Sequence, residues 1–304
     1  MSAEKTEQQS VPWIKRPDVA VELADGRRLE AAGRPLLMGI INVTPDSFSD
    51  GGRYYDHDAA VERGLQLARD GADILDIGGE STRPGSTVVP PDEEKQRVLP
   101  VVEDLAAETD VPISIDTRKA TVAEDALDAG AHIVNDVSAL RFDIEMAPLV
   151  ADRGVPVCLM HMQGTPQTMQ DNPTYDEVVS DVCDWLAGRM EVAADAGIGE
   201  DRIIIDPGFG FGKTVGHNLE LMRRLHEFHD LGRPLLVGTS RKSMIGAVLG
   251  AGTDERLSGT LATVCCAAMS GAHILRVHDV APARQAVEMC EAVRLGERYT
   301  GRKP

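Results

Sequence analysis

The chain has 304 residues, enough to bury a full core as one large α/β domain or as two small ones. Its 31 basic and 49 acidic side chains give a formal charge of −18, which argues against nucleic acid and anionic membranes as partners. A hydrophobic content of 42% is ordinary for a globular protein, and no apolar run approaches the roughly 20 residues of a membrane span.

The opening stretch "MSAEKTEQQSVPW" lacks the apolar core of a secretory signal, so a cytoplasmic chain is expected, with residues 1 to about 12 as a tail. Residues 18–32, "DVAVELADGRRLEAA", predict a short hairpin turning at Asp25-Gly26. The N-terminal extension is thus residues 1–34. Eight short apolar runs follow, and the first four are "PLLMGIIN" (35–42), "ADILDIGG" (72–79), "VPISIDT" (111–117) and "AHIVND" (131–136). The other four are "VPVCLMHM" (155–162), "RIIIDPG" (202–208), "RPLLVGTS" (233–240) and "AHILRVHD" (272–279). Unbroken apolar runs suit parallel strands buried on both faces.

The segments between them have helical spacing, as in Val61–Leu65–Ala68, Leu221–Leu225–Phe228 and Ala286–Cys290–Val293. "DAGAH", "DRGVP", "DAGIG" and "MSGAH" each place a glycine just past a helix end. Strand–helix alternation of this kind predicts a single-domain (β/α)8 TIM barrel over residues 35–297, with residues 298–304 as a C-terminal tail. A doubly wound sheet is the alternative. The five cysteines, Cys158, Cys183, Cys265, Cys266 and Cys290, form no C-x-x-C pair and read as small hydrophobes of a reducing compartment.

In such a barrel the C-terminal strand ends build the active site. Taken in order they supply Asn42, Asp76 with Glu80, Asp116, Asn135 with Asp136, His161, Asp206, Ser240-Arg241-Lys242, and Arg276 with His278. Any one of these could cap a helix, but nearly every strand ends this way. The acceptors suit a heterocycle rich in N–H donors, and the cations of the last two strands suit a phosphate. Group transfer with a phosphate leaving group follows from that division. Two long loops rich in glycine and proline, "NVTPDSFSDGGRYYD" and "GGESTRPGSTVVPPDEE", read as mobile lids.

"IIIDPGFGFGKT" (203–214) resembles a phosphate loop, yet Pro207 stands where G-x-x-x-x-G-K-[ST] needs its first glycine. Lys213 likewise replaces the third glycine of G-x-G-x-x-G. The stretch is better read as an acidic strand end followed by a glycine-rich loop. "HEFH" (226–229) is one residue short of a zinc-protease motif, and the sequon-like "NVT" at Asn42 runs straight into Pro45.

The segments "MGIINVTPDSFSDGG", "LDIGGESTRPGS", "SIDT", "IVNDVSA", "DPGFGFGKT", "GTSRKSMIG" and "LRVHDV" occur in the order of the dihydropteroate synthase family. The chain resembles that family from about residue 36 to 295. The resemblance implies condensation of 6-hydroxymethyl-7,8-dihydropterin pyrophosphate with p-aminobenzoate, giving 7,8-dihydropteroate and pyrophosphate. It implies that Asp116, Asn135, Asp206 and Lys242 hold the pterin, with Asp206 accepting from its 2-amino group and ring N–H. Thr82, Arg83, Pro84, Phe211 and Ser240 match the aminobenzoate site. Asn42, Arg276 and His278 match the pyrophosphate site, with Mg²⁺ held near Asn42.

In that family Asp116, Lys242, Arg276 and His278 carry the catalysis, no covalent nucleophile is needed, and homodimers are usual. Two other readings share the pterin acceptors: a methyltetrahydrofolate–corrinoid methyltransferase and an inactive pterin-binding paralogue. "STRPG" and the Arg276-x-His278 pair favour the synthase, because neither alternative uses an aminobenzoate loop or a pyrophosphate site.

Overall fold

The computed structural model describes residues 13–31, 33–44, 57–83 and 85–300. The N-terminal tail, the last C-terminal residues, most of the first long loop and Pro84 lie outside the described residues.

Strands β1 (Ala20–Glu22) and β2 (Arg28–Glu30) form an antiparallel hairpin, and Gly26 takes φ 86° in its turn. The barrel strands are β3 (Leu36–Asn42), β4 (Ile74–Gly78), β5 (Ile113–Asp116) and β6 (Ile133–Asp136). They continue with β7 (Val157–Met160), β8 (Ile203–Asp206), β9 (Leu236–Val237) and β10 (Ile274–Val277). All pair in parallel in the order β8-β7-β6-β5-β4-β3-β10-β9. A bridge from Ile205 to Leu235 joins β8 to the segment entering β9 and closes the ring.

Helices cover the outside: α1 (His57–Arg69), α2 (Pro91–Glu108), α3 (Ala120–Asp128), α4 (Met146–Arg153) and α5 (Val178–Asp195). They are joined by α6 (Val215–Arg223), α7 (Ser243–Leu249), α8 (Leu257–Met269) and α9 (Val280–Leu295). Gly154, at φ 59°, ends α4 in the left-handed conformation that "DRGVP" predicts. No helix among the described residues is long and apolar enough to cross a membrane.

Alternation along each strand divides the core in two. Outward residues such as Leu37, Leu75, Ile115, Val134 and Leu159 are buried under the helices in one cluster. Inward Met38, Ile74, Ile133, Ile204 and Ile274 form a second cluster with Val21, Leu23 and Ala31 of the hairpin region. The hairpin therefore plugs the N-terminal mouth of the barrel. Each large aliphatic side chain so buried contributes about 1.5–3 kcal/mol. The same inward rows run on, two residues later, to Asp76, Asn135, Asp206 and Arg276, so the filling changes from hydrocarbon to charge within one turn of the pleat.

Two helical faces differ from the sequence expectation. The run Leu221–Leu225–Phe228 is buried, but α6 stops at Arg223 and a 3-10 turn (Leu225–Leu231) carries the rest. On α9 the buried face is Val280, Ala283, Val287 and Glu291, while Val293 of the predicted stripe is 57% exposed. A charge takes a core-facing position there because Arg16 meets it: Arg16 Nη2 donates to Glu291 Oε1 at 3.0 Å, and Arg16 also donates to the Ala31 and Ala272 carbonyls.

Candidate active site

Four strand ends converge on a buried polar rim. Asp76 on β4 is fully buried and accepts from Asn135 Nδ2 on β6 at 3.3 and 3.2 Å. Arg276 on β10 spans two strands, with Nε donating to Asp76 Oδ2 at 2.6 Å and Nη2 to Asp116 Oδ2 at 2.7 Å. The motifs assign Asp116 to a ring and Arg276 to a phosphate; here the two are each other's partners. Asp76, a strand-end acid to which the motifs give no role, supplies the second carboxylate of this clamp.

Burial raises the pKa of Asp116, and its neighbours Asp76, Glu94 and Asp136 add to the rise while Arg276 opposes it, leaving the carboxyl at about 7. Asp206 is also raised by burial, with Lys242 as the main opposing charge. Lys242 moves the other way: burial brings it down to about 8 although Asp206 favours the ammonium. Lys242 Nζ donates to the Phe209 carbonyl and lies 4.5 Å from the centre of the Phe211 ring. Val137, Met160, Met162 and Met169 form an apolar wall on which Phe211 packs.

The glycine-rich loop is fastened rather than loose. Its first turn begins where the Gly208 N–H donates to Asp206 Oδ1 at 2.7 Å. Lys213 Nζ, buried inside the loop, donates to the Gly208 and Phe211 carbonyls at 3.0 Å each and lies 2.8 Å from His161 Nδ1. Burial pushes Lys213 well below and His161 far below their ordinary values. Asn218 Oδ1 accepts from the Gly210 N–H, Gln170 Nε2 donates to the Gly210 carbonyl, and Tyr175 Oη donates to the Gly212 carbonyl. His161 is thus a hydrogen-bonded residue of the loop support. The knotting role of Lys213 has one signal in the sequence, a lysine within a glycine run with no phosphate motif around it.

On the opposite side Ser240 Oγ lies 2.9 Å from His278 Nδ1 and accepts from the His278 N–H at 3.2 Å. With one lone pair taken by that N–H, the hydroxyl can donate its proton to Nδ1, and in that arrangement Nε2 carries the ring proton. Burial, with Arg276 and Arg241 nearby, pushes His278 down to about 3, so the ring is neutral. The His278 carbonyl accepts from Arg63 Nη2 of α1 at 2.5 Å. Arg241, which the sequence places among the phosphate-side cations, instead pairs with Asp279 at 2.7 Å and adopts φ 58°.

The second long loop carries Thr82, half-buried, and Arg83, exposed; its anchor is Glu80, a rim acid to which the motifs give no role. Asn42 ends β3 in register with Gly78 and offers one hard amide oxygen. Among the described residues no group of three or more His, Cys, Asp or Glu side chains could hold a metal. A lone amide oxygen fits Mg²⁺ when substrate phosphates supply most of the other ligands. His229 of "HEFH" turns to the Ser270 carbonyl at 3.0 Å.

Known proteins agree with this architecture. The family described as "Pterin binding enzyme" matches residues 38–278. Dihydropteroate synthase of Escherichia coli K12 is 49% identical over 269 residues, covering 88% of this chain and 95% of that one. The Xanthomonas albilineans dihydropteroate synthase solved with 4-aminobenzoic acid superposes with a TM-score of 0.85 at 48% identity, covering 91% of this chain and 99% of that one. The same enzyme in complex with 7,8-dihydropteroate gives a TM-score of 0.80 at 46% identity, covering 89% and 97%.

Proposed function

The chain belongs to the dihydropteroate synthase family of pterin-binding enzymes, and from that premise we propose how its rim residues divide the reaction. It is a transferase that condenses 6-hydroxymethyl-7,8-dihydropterin pyrophosphate with p-aminobenzoate, giving 7,8-dihydropteroate and pyrophosphate. The relatives favour the synthase over the methyltransferase reading.

Asp206 accepts from the 2-amino group and ring N–H of the pterin, while Asn135 and Lys242 complete the polar edge. The single observation that carries this assignment is the set Asp76, Asp116, Asn135 and Asp206 on the inward face of four strand ends, closed by Arg276 and Lys242. An anionic ring of this kind favours a substrate that becomes cationic. When the C–O bond ionises, its electron pair leaves with pyrophosphate and positive charge spreads into the pterin. Asp116 stabilises that charge. The amine of p-aminobenzoate then uses its lone pair to form the C–N bond and releases a proton to solvent.

Arg276 and His278 receive the departing pyrophosphate, the neutral ring donating through Nε2–H when Ser240 donates to Nδ1. Thr82, Arg83, Pro84 and Phe211 border the aminobenzoate, with Ser240 at the junction of the two sites. Mg²⁺, bound through Asn42 and phosphate oxygens, would neutralise charge on the leaving group. Calorimetry should therefore detect Mg²⁺ binding when pyrophosphate is present and none to the protein alone; tight binding without pyrophosphate would refute a shared site.

Exposed Val248 and Leu249 of α7, Leu257 of α8, and Met289 and Val293 of α9 supply apolar surface that supports a homodimer. The five unpaired cysteines fit a cytoplasmic enzyme. The test of the reaction is product formation: purified protein with both substrates and Mg²⁺, followed by mass detection of dihydropteroate. Omission of either substrate or of the metal should abolish the product, and persistence of product without p-aminobenzoate would contradict the assignment.

A further inference from the structure

The second long loop runs from Gly79 to Pro90 between β4 and α2, and one of its side chains turns inward. Glu80 is 7% exposed and its two oxygens are fully engaged. Oε1 accepts from Arg118 Nη2 at 2.6 Å; Oε2 accepts from Lys119 Nζ and from the Val89 N–H at 3.0 Å. Val89 lies nine residues further on, at the far end of the same loop. One carboxylate therefore staples both ends of the segment that presents Thr82 and Arg83.

The cations that hold Glu80 come from the residues immediately after Asp116 and Thr117, at the end of β5. Lys119 is bound a second time by Glu94 of α2, and Arg118 stacks 4.1 Å over the ring of Phe142. Thr82, Asp116, Glu80 and Glu94 line one cavity of about 10 Å³, the room of a single water. The loop tip and the strand end bearing Asp116 are thereby parts of one buried ionic frame.

We propose that Glu80 is a positioning residue for the aminobenzoate site, fixing Thr82 and Arg83 relative to Asp116 through Arg118 and Lys119. The inference rests on the placement of aminobenzoate on this loop. A carboxylate is required because both its oxygens face cations; an amide can keep the Val89 contact but presents a donor to one of them. Apart from Asp116, the residues that read the pterin, Asn135, Asp206 and Lys242, bond to Asp76, Gly208 and Phe209 and not to Glu80, Arg118 or Lys119. The loss should therefore fall on one substrate.

Steady-state kinetics of the full chain with both substrates tests this. In Glu80→Gln the KM for p-aminobenzoate should rise about tenfold or more, since displacing a positioning group by a fraction of an ångström has that scale. The KM for the pterin pyrophosphate should stay within about twofold, the pattern of a lost ground-state contact to one ligand. Glu80→Asp, which keeps the charge on a shorter stem, should recover part of the loss. Arg118→Met should act in the same direction and less than additively with Glu80→Gln, because the two share one contact. If Glu80→Gln does not fold, Arg118→Met decides alone, since it leaves Glu80 paired with Lys119.

Parallel rises in both KM values, or an unchanged KM for p-aminobenzoate in a folded variant, would overturn the proposal. Thr82→Ala and Arg83→Ala are measured alongside. A rise in those two with none in Glu80→Gln overturns the positioning role alone, whereas no rise in any of the three overturns the aminobenzoate placement itself.

Discussion

Asp116 holds the balance of charge in the site. Its carboxyl is raised by burial to about 7, and Lys242 is lowered by burial to about 8. The useful forms are carboxylate and ammonium, so kcat/KM for the pterin pyrophosphate should rise with pH up to about 7 and fall above about 8. Asp116→Asn should remove the acid limb along with most activity, and Lys242→Arg should move the alkaline limb out of range. A flat profile between pH 6 and pH 9 in rates limited by chemistry would contradict these roles. The polar strand ends themselves are legible in the sequence: Asp76, Asp116, Asn135 and Asp206 interrupt apolar strands where a strand buried on both faces has no other use for them. Their partners are not legible. Arg276 meets Asp116 across 160 residues because barrel closure sets β10 beside β3, and no local pattern encodes that distance.

The glycine-rich loop shows what an element adds to its residues. Gly208 has φ 69°, and a Cβ there would sit 1.8 Å from the His161 carbonyl oxygen. Gly208→Ala should therefore destabilise the fold by about 3 kcal/mol or more, through strain and collision with backbone. Gly188 lies within α5 with nothing within 4 Å of its would-be Cβ, and its replacement by Ala should instead stabilise by roughly 0.5–1 kcal/mol. Denaturant unfolding of both variants checks the pair, and equal effects would contradict the account of the loop. The sequence places the loop at the end of a strand and rules out a phosphate motif. It does not show that Lys213 is the knot, because the acceptors of Lys213 are backbone carbonyls created only by the fold. The same reason explains α9: Glu291 is unreadable as a core position from its helix alone, because its partner Arg16 comes from the N-terminal segment.

At the scale of the whole molecule the eight apolar runs and their glycine-ended helices make eight parallel strands covered on both faces legible from the residues alone, and the number of repeats favours the barrel over a doubly wound sheet. The plugging of one mouth by the hairpin is not legible, because the alternation of Val21 and Leu23 marks an apolar face without showing what it covers. Met289 and Val293 of α9, 63% and 57% exposed, lie one turn apart and predict self-association: Met289→Glu with Val293→Glu should shift sedimentation from dimer to monomer while leaving the fold intact. A wild-type protein that sediments as a monomer would contradict the proposal. Calorimetry shows whether the rim is divided into a pterin reader and a pyrophosphate receiver. Asp206→Asn should weaken binding of the pterin with and without its pyrophosphate, because an amide puts a donor against donors. Arg276→Ala should weaken the pyrophosphate ligand far more than the bare pterin. Unchanged pterin affinity in Asp206→Asn, or equal losses for both ligands in Arg276→Ala, would contradict that division.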